Sequence, residues 1–515
     1  MLNLFKNKHG FWLTPFKLTL KGFFLRFRLF FQGGAMQKLF FTTKELDLNA
    51  VKTFKIPSEI LMENAACGIF AFLQKKFKKP LKKGKKPTLL LLVGSGDNGA
   101  DVLALARMAS EAFNIFIFLC SESKSALNKA QLERIKAINE AHKDKIKFIK
   151  SLEKVESLKI SCVIDGIFGA GFKGELDSST KHILQEINKM ECLKIACDIS
   201  SGIAKNGEIT SIAFKADFTL SMGALKCALF LDSTADFVGK VKLISLGIPT
   251  NIFNSLESKI NLLQISDLVL PTRKHKATNK GDFGHLSVLI GEKSGAGILS
   301  ALSALSAGAG LVSIVSDKFI ENLPFSIMQT KEIPQNTSAI ALGMGLGAKS
   351  TLPTIPLKIP LVLDADIFYH NKFLDFLTYD NIILTPHPKE FTQILKVTNL
   401  ANITTQELQK NRIHYALEFS KAYPKAVLVL KGAFSIIAKN ENIYINPFAN
   451  NALSKGGSGD VLAGIIASYL AQRYTPLDSA INGVLTHSLC AKRFVKKHNN
   501  FSLTPLDLIK ELRYI

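Results

Sequence analysis

The sequence predicts an α/β protein with largely parallel sheets, divided into two domains. Three observations carry this. Short apolar runs alternate with longer amphipathic stretches along the whole chain, the pattern of strand–helix–strand units whose strands are buried on both faces. The runs fall into two sets, parted by a polar, basic, turn-rich segment, PTRKHKATNKGDFG (271–284). The chain has 515 residues, and beyond ~250–300 residues a single core stops growing and the chain splits.

In chain order, the first set of strands reads TLLLLVGSG (88–96), IFIFLC (115–120), CVIDGIFG (162–169) and KIACDIS (194–200), and closes at KVKLISLGIPT (240–250). The second reads LSVLIGE (286–292), LVSIVS (311–316), SAIALGMG (338–345), PLVLDAD (360–366), NIILTP (381–386) and AVLVLKG (426–432). Helix-like runs lie between them, at 100–112, 124–142, 296–308 and 403–420. No internal repeat relates the halves, and the boundary falls near 255–270. Each half is large enough to carry its own site at the carboxyl ends of its strands.

Hydrophobic content of 47% against 21% charged residues excludes a disordered chain. A formal charge of +23 permits nucleic acid or an anionic substrate but demands neither. Much of the excess sits in KKFKKPLKKGKK (75–86), read as a solvated helix end and loop. Seven scattered cysteines form no CxxC pair and do not alternate with histidine, which argues against a zinc ribbon or a disulfide framework and suits a reducing, cytoplasmic setting. Residues 1–35 are aromatic, basic and free of acid, as in a cationic interfacial helix or a targeting peptide. Charges interrupt every apolar run there, so none reaches the ~18–20 residues of a membrane span. Met36 opens a fresh segment, and we read it as the start of translation.

In the first half, GSGDNGAD (94–101) follows a strand and precedes a helix but fits neither GxGxxG nor a Walker loop. Two further strand ends carry an acid followed by glycine: Asp165 in DGIFGAGFKGE and Asp198 in DISSG. One such Asp is usually a turn residue. Three loops of this kind at three strand ends would converge in a doubly wound sheet, where Asn98, Asp165 and Ser201 supply hard oxygen ligands for an alkali or alkaline-earth cation.

In the second half, KGGSGDVLAG (455–464) places glycines directly before an apolar, helix-like run. A helix start presents unpaired N–H groups that suit an anion, and glycines let it approach closely. Asp460 is then either an N-cap or a base that takes a proton as phosphate arrives. Lys431 in LKGAFS can meet polyphosphate or simply sit in a hairpin turn. His387, between two prolines, is a structural residue or a substrate contact on a stiff loop.

GSGDNGADV, DGIFGAG, DISSG and LGIP, in this order over residues 36–250, resemble the NAD(P)H-hydrate epimerase family, with MENAACGIF (62–70) at the place of its N-terminal helix. The resemblance implies a Rossmann-like α/β/α sandwich at 36–260. It implies K⁺ held through Asn98, Asp165 and Ser201, and Asp198 as acid/base. The hydrated nucleotide, NAD(P)HX, would contact Asp97, Asn98, Gly99, Ala100 and Asp101 on one loop. On the other it would contact Gly169, Ala170, Gly171, Phe172, Lys173, Gly174 and Glu175. Ala100 and Val102 replace family glycines and are expected to narrow the first loop; Asp97 and Ser200 are further departures.

NKGDFG, GMGLG, LDAD, LTPHPKEF, LKGAFS and GGSGDVLAG resemble the ADP/ATP-dependent NAD(P)H-hydrate dehydratase family of the ribokinase-like superfamily across 265–515. Asn279, Met344, Ile367 and Ser458 depart from its pattern without removing a charged catalytic group. The resemblance implies that Ala296, Gly345, His387 and Asp460 contact the hydrate, with Asp460 as base. Lys431, Gly432, Ala433, Phe434, Ser435 and Gly459 would contact ADP, with Mg²⁺. The expectation is a two-domain repair enzyme, homo-oligomeric, without a nucleic-acid partner or membrane span. A small-molecule kinase with an inactive first domain and a nucleic-acid-binding scaffold are the rivals.

Overall fold

The computed structural model describes residues 36–78, 86–142, 145–155, 158–249, 258–347 and 350–515. The basic segment 1–35 and much of the lysine run lie outside them. Within that run, the helix Ser58–Lys76 ends in exposed Lys75 and Lys76.

The first set of strands forms a seven-stranded sheet, every pairing parallel. Its order is Ile146–Ile149, Asn114–Leu119, Thr88–Val93, Cys162–Gly166, Leu193–Cys197, Phe218–Met222 and Lys240–Ile244. Thr88–Val93 is apolar on both faces because helices cover both. Leu89, Leu91 and Val93 pack with residues of Ser58–Lys76 and Asp97–Ala109, while Leu90 and Leu92 pack with Ile183, Leu184 and Ile187 of Ser178–Lys189. The order reverses between Thr88–Val93 and Cys162–Gly166, and a crevice opens at such a switch point. The loops GSGDNGAD and DGIFGAG stand on its two sides.

The larger sheet has twelve strands. Seven are parallel: Met328–Thr330, Leu311–Val315, His285–Leu289, Ala339–Leu342, Leu361–Leu363, Ile382–Leu384 and Ala426–Leu430. An antiparallel hairpin, Ile436–Lys439 and Asn442–Ile445, follows. Beyond it the sheet continues through Ile260–Leu262, Gln37–Phe40 and Leu225–Lys226. The N-terminal strand and one from residues 225–226 thus extend the sheet of the second half, and Leu225, Cys227, Leu229 and Phe230 are buried in one core with Phe391, Phe419 and Leu430. All ten apolar runs expected as buried parallel strands are parallel strands, and most are buried; Asn114–Leu119 is the exception, with Phe116 and Phe118 half-buried and Leu119 exposed. The run 403–420 is two helices, Thr405–Lys410 and Arg412–Ala422, parted at Asn411, whose φ of −138° is not helical.

The small-residue stretch around 295–312 is explained by close helix packing. Ser294–Ser306 lies against Ser458–Ala471. A Cβ on Gly464 would fall 2.1 Å from the carbonyl oxygen of Ser300, and Ser300 Oγ donates to the Asp460 carbonyl (2.8 Å). Among the described residues no helix is long and apolar enough to cross a membrane, and all seven cysteines are free thiols. Gly464→Leu should force these helices apart and lower stability by about 2–3 kcal/mol or more, read as a shift in the denaturant midpoint.

Candidate active sites

The first site gathers at the C-terminal ends of Thr88–Val93, Cys162–Gly166 and Leu193–Cys197. Asp165 is fully buried. Its Oδ2 accepts from Ser201 N (2.8 Å), and its Oδ1 accepts from Ser201 Oγ (2.7 Å) and Ile167 N (3.1 Å). Ser201 Oγ in turn accepts from Phe168 N (2.9 Å), and Asn98 Nδ2 donates to Phe168 O (2.9 Å). Asn98, Asp165 and Ser201 therefore meet through residue 168. Burial pushes the Asp165 carboxyl up to about 6 against three hydrogen bonds, and no cationic side chain pairs with it among the described residues. A buried carboxylate without a counter-ion, with the Ser201 hydroxyl on it and the Asn98 amide linked to it through residue 168, suits a monovalent cation.

Asp198 adopts the left-handed φ of +69°, uncommon for a residue with a Cβ. Its Oδ1 is ion-paired with the Lys226 ammonium and accepts from Met222 N (3.0 Å). Its Oδ2 faces Ala170 N at 3.4 Å. Lys226 is buried and also reaches Ser221 Oγ (3.2 Å) and the carbonyl of Ala224 (3.3 Å). Asp47 and Asp101 surround this pair. Burial, with help from Asp198 and Asp97, raises Asp47 to about 6 in spite of Lys226. Burial, then Asp198, Asp97 and Asp47, raises Asp101 well above the carboxylate range.

Of the residues named from sequence, Asp97, Asn98, Gly99, Ala100 and Asp101 form the first turn of a helix rather than a free loop. Gly99 lies against the Gly94 carbonyl, where a Cβ would sit 2.2 Å from it. Ala100 and Val102 are fully buried in the core, Val102 facing Gly166. The expectation that they narrow the loop is corrected: their side chains point inward, away from its mouth. Gly169 and Ala170 border Asn98 and Asp198. Phe172 stacks on Phe168 (4.8 Å between centroids), and Gly171, Lys173, Gly174 and Glu175 are exposed. Lys226 was missed. Its signal is a lone lysine inside the apolar run SMGALKCALF (221–230).

The second site lies at the ends of Leu361–Leu363, Ile382–Leu384 and Ala426–Leu430. Lys431 occupies a hairpin loop between Ala426–Leu430 and Ile436–Lys439, so the hairpin and the site readings both hold. Its backbone N–H donates to Pro386 O (2.9 Å), and its Nζ to Asp364 Oδ1 (2.8 Å). Burial pulls the Lys431 pKa down, but Asp364, Glu390 and Asp460 outweigh it and hold the ammonium above its ordinary value. Ala365, at a φ of +54°, turns the chain between Asp364 and Asp366, and Asp366 Oδ2 accepts from Gly347 N (2.9 Å).

The helix Ser458–Ala471 starts here. Gly457 caps it at a φ of +87°, where a Cβ would also meet the ring of Pro505 at 2.6 Å. Gly459 faces Lys431, a Cβ on it lying 3.4 Å from Nζ. Ser458 is held by buried His487, whose Nε2 donates to its carbonyl (3.0 Å); burial lowers that histidine to about 4. Asp460, in the first turn, is raised to about 6 by burial and then Asp364, with Lys431 opposing. His387 and Glu390 form a capping box: Glu390 N donates to Nδ1 (3.1 Å), and His387 N to Glu390 Oε2 (2.7 Å). Since Nδ1 accepts, the neutral ring carries its proton on Nε2, 3.1 Å from Glu390 Oε1. Burial raises Glu390 to about 7, and burial, then Lys431, lowers His387.

Ala296 lies in the first turn of the helix Ser294–Ser306, and Gly345, at a φ of +66°, packs on Lys293 just before it. Gly432 and Ala433 are open to solvent, Phe434 is buried, and Ser435 is half-buried. The sequence reading passed over Asp364, Asp366 and Glu390, although LDAD carries the same signal, acids at a strand end, that singled out Asp165 and Asp198. An ammonium facing a helix N-terminus suits a polyphosphate, and the surrounding carboxylates suit a proton acceptor and a hard divalent cation.

A family model described as NAD(P)H-hydrate dehydratase matches residues 286–513, and one described as YjeF-related protein N-terminus matches residues 58–228. The bifunctional NAD(P)H-hydrate repair enzyme Nnr of Helicobacter pylori is 41% identical over 475 residues, covering 91% of this chain and 98% of that protein. The enzyme of that name from Dictyoglomus turgidum is 32% identical, covering 91% and 96%. Among solved structures, an ADP/ATP-dependent NAD(P)H-hydrate dehydratase from Bacillus subtilis, co-crystallized with ATP/Mg²⁺, is 28% identical. It covers 47% of this chain and 91% of its own, with a TM-score of 0.39.

Proposed function

We infer that this chain, which belongs to the family of bifunctional NAD(P)H-hydrate repair enzymes, restores hydrated nicotinamide cofactors by two reactions at the two sites above. The first interconverts the R and S hydrates, NAD(P)HX. The second dehydrates the S form to NAD(P)H, consuming ADP and giving AMP and phosphate. The observation that carries this is the pair of lysine–aspartate centres, Lys226–Asp198 and Lys431–Asp364, the second with Asp460 at a helix start beside its ammonium.

At the first centre, Asp198 takes a proton from the hydrated ring and returns it. Lys226 balances the charge on Oδ1 and leaves Oδ2 turned to the Ala170 loop. The ring lies between the 97–101 turn and the 169–175 loop. Asn98, Asp165 and Ser201 would hold K⁺, which supplies a fixed positive charge for the nucleotide phosphates.

At the second centre, Lys431 and the N–H groups from Gly457 to Asp460 receive the terminal phosphoryl group of ADP, and the 431–435 loop receives the rest of the nucleotide. Asp460 deprotonates the ring hydroxyl, which attacks that phosphorus as AMP departs. The product is a phosphate on a carbon beside an enamine nitrogen. The nitrogen lone pair expels the phosphate, and loss of a proton from the adjoining carbon restores the dihydropyridine. His387 presents its imidazole to the hydrate from the stiff loop before Pro388, with Ala296 and Gly345 on the adjoining rim. Mg²⁺ would be held by the phosphates and the Asp364–Asp366 carboxylates and supplies charge neutralisation.

Near-ultraviolet absorbance of the reduced cofactor tests this on mixed R and S hydrate with ADP, Mg²⁺ and K⁺. Wild type should restore both epimers. Asp460→Asn should slow all recovery by about 10²–10⁴-fold; Asp198→Asn and Lys226→Met should stall once the S form is spent. No recovery by wild type with ADP or ATP would sink the repair reading and favour a kinase. Asp460 must be ionised to accept a proton, so the dehydration rate should climb as pH rises through about 6 and fall below it. A rate flat from pH 5 to 7 would count against Asp460 as base. Finally, wild type should melt about 2–4 °C higher in potassium chloride than in choline chloride at equal ionic strength. Asp165→Asn should erase that difference.

A further inference from the structure

The proposed nucleotide loop of the second half is fastened by a residue of the first. Arg412, at the start of the helix Arg412–Ala422, is buried with its side chain 1% exposed. Its Nη2 donates to the carbonyls of Lys431 (2.9 Å) and Leu430 (3.3 Å), and its Nη1 lies 3.5 Å from the carbonyl of Phe434. Its ionic partner is Asp232, which follows Leu225–Lys226 in the chain and belongs to the first half. Asp232 Oδ1 also accepts from the backbone N–H of Phe434 (2.9 Å). The carboxylate and the guanidinium both press on Gly432: a Cβ there would lie 2.3 Å from Asp232 Oδ2 and 2.4 Å from Arg412 Nη2. Phe230 meets Phe434 edge-to-face, with centroids 6.0 Å apart. On the side away from its open face, the loop and the strand end that leads into it are held at three carbonyls and one N–H by a charge pair that spans the two halves.

We propose that Asp232 is a positioning residue for nucleotide binding: with Arg412 it clamps the backbone of the 431–434 loop in the shape that receives ADP. This rests on the reading of 431–435 as the nucleotide loop. A planar guanidinium gathers carbonyls that would otherwise be free to turn. Buried in this way it needs a counter-charge, because an unpaired charge in the interior is strongly unfavourable. The dehydratase half contributes the guanidinium and the loop; the epimerase half contributes the counter-charge. Asp232 lies six residues after Lys226, so one short segment serves both sites.

The test uses the full-length protein and the variants Asp232→Asn, Arg412→Lys and Lys431→Ala. Dehydration is followed with ADP varied at saturating hydrate, then with hydrate varied at saturating ADP; epimerisation is followed separately. Asp232→Asn should raise KM for ADP about tenfold and leave KM for the hydrate, kcat and the epimerase rate unchanged. Arg412→Lys keeps the charge and loses the fork, and should do the same; it carries the test if Asp232→Asn does not fold. If Lys431→Ala raises KM for ADP while the other two do not, the clamp proposal alone is overturned. If Lys431→Ala leaves ADP affinity intact, the nucleotide-loop reading fails and the clamp fails with it. A parallel loss of both KM values and of epimerase activity in Asp232→Asn would mark a purely structural contact and overturn the proposal.

Discussion

The molecule depends on one set of backbone hydrogen bonds, those that pass from Asn442–Ile445 through Ile260–Leu262 to Gln37–Phe40 and Leu225–Lys226. A sheet edge with a buried apolar face requires a partner for its N–H and C=O groups. Here the partner comes from the flanks and interior of the other half. That choice fixes where residues 225–232 run, and hence where Lys226 and Asp232 point. It also merges cores: Leu225, Cys227, Leu229 and Phe230 share one cluster with the helices that cover the dehydratase sheet.

Both sites solve the same electrostatic problem in the same way. Each stands at the C-terminal ends of parallel strands, and each contains a non-glycine residue in the left-handed region, Asp198 or Ala365. Each sets an ammonium against an aspartate, Lys226 on Asp198 and Lys431 on Asp364. The ammonium lets further carboxylates crowd the site, Asp47 and Asp101 in one case, Asp460 and Glu390 in the other. Burial then lifts these acids toward neutrality, the range in which a carboxyl can both take and give a proton. A helix starts at each site; in the second its glycine-rich first turn faces the ammonium itself, with Gly459 against Lys431.

Much of this was legible in the sequence because parallel strands buried on both faces are written as unbroken apolar runs. LLLLV and VLVL could hardly be anything else. Phe218–Met222 and Ile146–Ile149 were passed over because FTLSM and IKFI mix polar with apolar residues and are short. The short pairings of Gln37–Phe40 and Leu225–Lys226 carry no local signal, since what makes them strands is an edge supplied from elsewhere. The aspartates at strand ends could be found because glycine follows them. Lys226 stands out as a lone lysine in an apolar run, but only the fold shows its partner; Asp232 becomes legible only beside Arg412, which lies far away in sequence. The inward direction of Ala100 and Val102 was likewise a matter of helix phase. The 94–101 segment reads as a loop from its glycines, yet its second half is already helix.

The path of the chain through the larger sheet has a consequence for synthesis. The seven-stranded sheet is complete at Ile244, before any strand of the parallel series from His285 to Leu430 has been made. Gln37–Phe40 can pair at once with Leu225–Lys226 and then with Ile260–Leu262, forming a three-stranded ribbon beside the seven-stranded sheet. The ribbon's outer edge must wait for Asn442–Ile445. Pairings this distant in sequence are slow to form, and an open strand edge invites wrong partners meanwhile. The first half can thus build its own sheet early, but Leu225, Cys227, Leu229 and Phe230 find the residues that bury them only once the second half has been made.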